Sequence, residues 1–254
     1  MILDLTMASS QLKWQPQKTY TDLLSRVAVL PTSLIWHQTE FTGIWFGCFE
    51  SDEQVQEHPV TMLTRFDPGG FFSLHGHPGG EEILVLQGNF ADETGVHPPG
   101  TYMLNPEGFN HRPYSDQGCL TFVKLRQHGG KTRQQVRVNI YDLPWESHVI
   151  PEIEVKPVYE QTDFPEKVSI ERWQPGAKLS NVVESEVKEI FVIEGTWSDD
   201  WGSYPTGSWL RYPPDCSYSP SSATGCLLYV KTYPLNTNRF IVGKDFKHPS
   251  ETGE

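Results

Sequence analysis

Two histidines, His75 and His77, stand two residues apart, with Glu81 shortly after them and His111 in a later block. Glycines and prolines punctuate the stretch: Gly69 and Gly88 bracket the first three residues, and Gly100, Pro106 and Gly108 lead to the last. On a β-strand, residues two apart leave the same face, so the two imidazoles point together. A Pro78-Gly79-Gly80 turn then starts an apolar run, Ile83-Leu84-Val85-Leu86, expected to return beside the first strand and bring Glu81 to the histidines. His111 arrives after the turn from Pro106 to Gly108. Three neutral nitrogen donors and one hard oxygen make a site for a divalent transition metal.

The elements that must position these residues are short strands. Gly 21, Pro 20 and 12% aromatic content, with few long helical periodicities, indicate many strands and tight turns. The chain also repeats itself. A shift of 107 residues lays 63–124 on 170–231 without a gap, and 20 of the 62 pairs are identical, including Gly69/Gly176, Gly88/Gly195, Pro106/Pro213 and Cys119/Cys226. Two units of one architecture follow. Matching positions are turn residues and apolar strand residues, whereas the four candidate ligands all differ: His75 faces Val182, His77 faces Glu184, Glu81 faces Lys188 and His111 faces Tyr218. The second unit is therefore expected to hold no metal, with Lys188 either paired to Glu184 or solvated. Glu82 persists as Glu189, which assigns it a structural, outward-facing role and leaves Glu81 as the ligand, because strand alternation lets only one of the pair face the cavity.

The two glycine-punctuated blocks resemble the two motifs of the cupin family, except that the asparagine often found four residues after the last histidine is Ser115 here. The stretches His75 to Gly88, Phe90 to Gly95, Gly100-Thr-Tyr102, Asn105-Pro106, Gly118-Cys119 and Phe122-Val-Lys124 are similar to the ChrR-like cupin domain. The resemblance implies an all-β bicupin, two tandem jelly-roll-type antiparallel barrels, in a bacterial protein. Its branch includes metal-binding anti-sigma proteins and non-haem iron dioxygenases of the acetylacetone-cleaving type. The expected organisation is an N-terminal arm with edge strands packing on the first barrel (1–59), a metal-binding barrel (60–127), a crossover segment (128–166), a metal-free barrel (167–243) and a tail (244–254). Within the arm, 20–30 could form a short helix. Ile44-Trp-Phe46 and Cys48-Phe49 suggest strands. The arm lacks the clustered His and Cys of the anti-sigma zinc module, so that role is not carried over.

A net charge of -12 gives no basic footprint for nucleic acid. No run reaches the ~20 apolar residues of a membrane span, and no signal peptide is evident, so a cytoplasmic location is expected. Cys48, Cys119, Cys216 and Cys226 show no metal-binding or redox spacing and suit reduced, buried thiols. His37, His58, His97, His128, His148 and His248 sit singly among polar residues and are expected at the surface.

One metal per chain is expected, iron(II) or zinc, with nickel or manganese also compatible. Iron(II) with two open positions suits a dioxygenase for a small diketone-like or hydroxyketone-like molecule, whereas zinc closed by four protein ligands suits a ChrR-like sensory or small-molecule-binding cupin without turnover. Partners are then a small molecule and, at most, a second copy in a homodimer, with no nucleic acid or membrane. Candidates around the ligand are Arg65, Phe72, Tyr102, Phe109 and Tyr114, although the repetition of Arg65 as Arg172 favours a scaffold role. Elemental analysis should give close to one transition metal per chain, all of it lost in a His75→Ala/His77→Ala protein. Two metals per chain would overturn the asymmetric reading.

Overall fold

The structure is a computed structural model that describes residues 9–10, 18–52 and 58–235. The expected tail lies outside the described residues. Two large sheets dominate, and pairing within them is antiparallel apart from the two-residue contact of Ser9–Ser10 with the strand Trp36–Gln38. The first sheet runs Trp36–Gln38, Ile44–Glu50, Val60–Phe66, Cys119–Leu125, Glu81–Gly88, Thr101–Asn105 and Val136–Asn139. The second runs Glu146–Ser147, Ile153–Tyr159, Lys167–Trp173, Cys226–Tyr233, Val187–Asp199, Trp209–Tyr212 and Val27–Val29. Smaller sheets fold over each to complete a jelly-roll barrel.

The two ends of this order contain a strand exchange. Val27–Val29 precedes the first repeat yet pairs with Trp209–Tyr212 of the second. Val136–Asn139 precedes the second repeat yet pairs with Thr101–Asn105 of the first. The segment 1–59 is thus divided: Trp36–Gln38 and Ile44–Glu50 extend the first barrel, while Val27–Val29 belongs to the second. The helix considered for 20–30 is absent, because the β-branched Val27 and Val29 find a sheet edge to pair with.

Strand alternation sorts the side chains into three cores. Along Glu81–Gly88, Ile83 and Val85 enter the interior of the first barrel, while Leu84 joins the layer between the barrels. In the same way Met103 points inward and Tyr102 and Leu104 outward, and Val123 inward and Phe122 outward. In the shared layer Phe122 stacks on Phe191 with centroids 4.6 Å apart and meets Tyr229 edge-on at 5.2 Å. Ile190, Val192, Leu210 and Leu228 fill the interior of the second barrel.

Glu82 follows the outward parity, but outward here means into the shared layer, where it is 2% exposed rather than solvated. Its carboxylate accepts from Lys231 Nζ at 2.7 Å and Tyr229 Oη at 2.5 Å and lies 2.8 Å from His128 Nε2. Its repeat partner Glu189 accepts from Lys124 Nζ and from Tyr233 Oη. Each barrel therefore sends a glutamate to a lysine of the other. His128, expected at the surface, is buried in this network instead, and burial together with the neighbouring Lys231 pushes its pKa down to about 4. The tight turn at Gly88 is also shared: a Cβ there would lie 2.1 Å from the Gly118 carbonyl oxygen, and one at Gly195 would lie 2.1 Å from that of Gly225.

Glu82→Ala leaves the Lys231 ammonium buried without its counter-charge, and a loss of ~3–5 kcal/mol is expected. Joint replacement of Glu82 and Lys231 by Leu and Met should recover much of it. Denaturant unfolding of the single and double variants checks this, and equal losses in both would contradict it.

Candidate metal centre

His75–His77 forms a short strand that pairs with Phe109–His111, with His75 directly opposite His111 and Phe109 opposite His77. The strand beginning at Glu81 does not return beside His75, as the turn chemistry suggested, but pairs with Cys119–Leu125 and Thr101–Asn105. The two-stranded His ribbon instead folds over the barrel mouth, so ribbon and barrel wall supply their donors from different sheets. A register in which residues 75 and 111 face each other brings both imidazoles inward from neighbouring strands.

One ligating nitrogen from each of His75, His77 and His111 lies within 4.8 Å of the others. His77 Nε2 and His111 Nε2 are 3.0 Å apart, and Glu81 Oε2 lies 3.5 Å and 3.4 Å from them. Donors about 2.1 Å from a shared metal are separated by about 3.0 Å at right angles and about 3.4 Å at the tetrahedral angle. These spacings fit a common ion, with the His75 nitrogen within 4.8 Å of the other two.

The neighbours fix which nitrogen carries each proton. His75 Nδ1 lies 2.9 Å from the Ser73 carbonyl and His111 Nδ1 lies 3.1 Å from Asp92 Oδ2. Both partners only accept, so in the neutral form of each ring the proton sits on Nδ1 and Nε2 keeps the lone pair. Burial drives His77 down to about 3, which keeps it neutral near pH 7. Burial also opposes charge on His111, but Glu81 and Asp92 outweigh it and hold its pKa above the usual value. Burial alone would raise Glu81; His77, His111 and the Asn105 amide together hold it below the usual carboxylate range. Asn105 Nδ2 donates to Glu81 Oε2 at 2.9 Å, and the Asn105 oxygen in turn accepts from Arg137 on the exchanged strand.

Sequence reasoning missed Asp92 and Asn105. Asp92 repeats as Asp199, and in the second barrel that carboxylate accepts from the Tyr212 and Tyr204 hydroxyls and from Arg26. Identity between the halves marked it as scaffold, although the partner it holds differs. Asn105 faces Tyr212 in the repeat and so carried a signal: it differs, like the ligands.

Beside the cluster opens a cavity of about 610 Å³, walled by Phe41, Phe46, Phe66, Phe72 and Met62 and reaching His75, His77 and Glu81. Of the five pocket candidates, Phe72 lines it, with its ring centroid 5.3 Å from that of His75. Phe109 packs on His111 at 5.3 Å outside the lining. The other three lie elsewhere. Tyr102 is buried between the barrels, Tyr114 is exposed, and Arg65 pairs with Asp67 at 3.2 Å with its guanidinium over Trp45. Tyr102 and Arg65 have the outward parity of their strands, which excludes them from the interior.

In the second barrel Val182 faces Tyr218 in the register of His75 and His111. Lys188 Nζ lies 3.5 Å from Glu184 Oε1, and the Tyr218 hydroxyl donates to the same carboxylate oxygen. The four ligand-equivalent positions thus close on one another through an ion pair, a hydrogen bond and a strand pairing.

The model of the ChrR cupin-like domain matches residues 24–129 and again 133–236. No curated protein matches the chain. Among solved structures, a candidate dioxygenase from Nostoc punctiforme is similar at TM-score 0.71 and 10% identity, over 83% of each chain. Oxalate decarboxylase from Bacillus subtilis is similar at TM-score 0.58 and 10% identity, over 82% of this chain and 77% of that one. The pirin YhhW from Escherichia coli, crystallised with nickel(II), is similar at TM-score 0.62 and 10% identity, over 83% of this chain and 99% of that one. At these identities the likeness shows the fold alone. No helix among the described residues is long and apolar enough to cross a membrane.

Asp92→Asn retains the shape but weakens the acceptor that holds His111, and metal affinity should fall roughly 10- to 100-fold. Competition with a chelator of known affinity measures it, and unchanged affinity would remove Asp92 from the site's supporting groups.

Proposed function

Because the chain belongs to the ChrR cupin-like family and carries its domain twice, we propose that it is a metal-dependent cupin oxidoreductase, a dioxygenase for a small oxygenated molecule. The observation that carries this reading is the opening of the three-histidine cluster and Glu81 onto an apolar cavity of about 610 Å³. That volume suits a small ligand buried against aromatic walls. His75, His77, His111 and Glu81 would hold the ion, with the Ser73 carbonyl and Asp92 fixing two imidazoles and Asn105 fixing the carboxylate. When bound, a redox-active divalent metal supplies Lewis acidity and one-electron chemistry toward a chelating oxygen substrate and dioxygen. The phenylalanine wall excludes water from the reacting atoms and orients the substrate's apolar body toward the imidazoles. Three imidazoles, neutral when they ligate, and one carboxylate would leave a bound divalent ion with a net positive charge, which would favour an ionised diketone or enediol.

Zinc closed by the same four ligands would make a sensor without turnover, the second reading. The adjoining cavity favours the open arrangement, since a closed structural site needs no substrate chamber.

Metal analysis of the purified protein, coupled to oxygen-uptake screening with diketones, hydroxyketones and catechols, tests both. Iron-dependent uptake with one of these classes, lost in His77→Ala, is expected. A protein that retains zinc and consumes no oxygen with any of them after iron loading would support the sensor instead.

A further inference from the structure

We propose that Arg126 is the anion-recognising residue of the cavity, and that the substrate is a small monoanion whose negative oxygen group meets this guanidinium while its apolar body lies against the phenylalanine wall. The proposal rests on the reading of the cavity as the substrate site. Arg126 is the one arginine or lysine among the described residues that line it, and it shares that lining with His75, His77 and Glu81.

The backbone explains how Arg126 comes to be there. Along Cys119–Leu125 the inward positions include Cys119 and Val123 with Leu125 packed against the same core, so continued alternation would send residue 126 to the outer face. Arg126 instead has φ 59, a left-handed conformation that costs a residue with a Cβ and breaks the alternation. Its N–H donates to the Gly80 carbonyl at 3.1 Å. Gly79 allows the approach, since a Cβ there would meet Arg126 Cα at 2.7 Å. The turn that leads into Glu81 thus also seats Arg126, and the guanidinium is near enough to His77 to oppose its protonation. Burial lowers the Arg126 pKa only to about 10, so the side chain is cationic at neutral pH. In the repeat its position is held by Tyr233, whose hydroxyl is bound to Glu189 in the shared layer. Arg126 therefore follows the ligands in being confined to the barrel with the histidine cluster. A planar cation with several N–H donors, half-buried beside an apolar wall, suits a carboxylate or an enolate through charge-assisted hydrogen bonds.

Calorimetric titration of the full-length, zinc-loaded protein tests this without turnover. The probes are hydrocinnamate against hydrocinnamyl alcohol and hexanoate against hexanol, pairs that differ at the oxygen group. The anion of at least one pair should bind about 10-fold or more tightly than its alcohol. In Arg126→Gln the preference should collapse to about twofold or less, with zinc content unchanged. Arg126→Gly serves as the second variant, because glycine adopts a positive φ without strain, and it should behave alike with an undiminished melting temperature. A preference that survives both substitutions would mean that the metal takes the anion and would overturn the proposal, as would failure of every anion to outbind its alcohol. Intact, Arg126-dependent preference in a protein that consumes no oxygen when iron-loaded would leave the proposal standing and remove the dioxygenase reading.

Discussion

Between the two barrels, Glu82 of the first meets Lys231 of the second, and Glu189 of the second meets Lys124 of the first. All four side chains are at most 2% exposed. A buried ion pair adds little net stability against an apolar replacement, because desolvation consumes the Coulombic gain, but unpairing it is severe. The reciprocal pairs therefore act on register. Any shift of one barrel over the other would strand charges in a layer otherwise built from Phe122, Phe191, Leu84 and Trp209. Glu50 and Arg211, 3.0 Å apart and also buried, add a further tie between the barrels, and Arg211 Nη2 continues to the Asp22 carbonyl of the N-terminal segment.

The exchanged strands connect that interface to the candidate metal centre. Val136–Asn139 pairs with Thr101–Asn105, so Arg137 reaches the Asn105 oxygen while the Asn105 amide holds Glu81. A strand that precedes the second repeat thus orders a candidate ligand of the first. The reciprocal strand, Val27–Val29, brings Arg26 to Asp199 and the Tyr204 hydroxyl in the second barrel. The carboxylate at this repeated position holds an imidazole in one barrel and a network of hydroxyls and a guanidinium in the other. One scaffold element serves two chemistries because an acceptor-only group orients whatever donor faces it.

The second barrel also shows what the fold requires of the ligand positions. Val182, Glu184, Lys188 and Tyr218 keep the backbone pairing and replace donors for an ion by contacts among themselves. Burial raises the Tyr218 hydroxyl's pKa and the Glu184 carboxylate adds to that, which keeps the phenol protonated and donating. In the first barrel the same positions carry donors instead: His77 Nε2 and His111 Nε2 lie 3.0 Å apart and Glu81 Oε2 lies 3.5 Å and 3.4 Å from them, a spacing that one shared cation would satisfy.

The sequence by itself determined the β architecture and the doubling, and it singled out His75, His77, Glu81 and His111 as a set. It could do so because turn glycines, period-two apolar positions and the mismatch between repeats are local or self-referential signals. The parity that separates Glu81 from Glu82 was legible for the same reason, and applied to Tyr102 and Arg65 it would have excluded them from the cavity. Only the tertiary structure decided what lies on the outer face. Glu82 and His128 have solvent-like local contexts, yet the second barrel covers them, and no spacing in the chain encodes that cover. Strand exchange was equally hidden, because Val27–Val29 reads as an apolar segment whose pairing partner lies some 180 residues away. The position of Arg126 depended on a single left-handed φ, which reverses the side-chain direction that alternation predicts. Long-range pairing and one backbone torsion, rather than residue type, assign these groups to the interface and to the site.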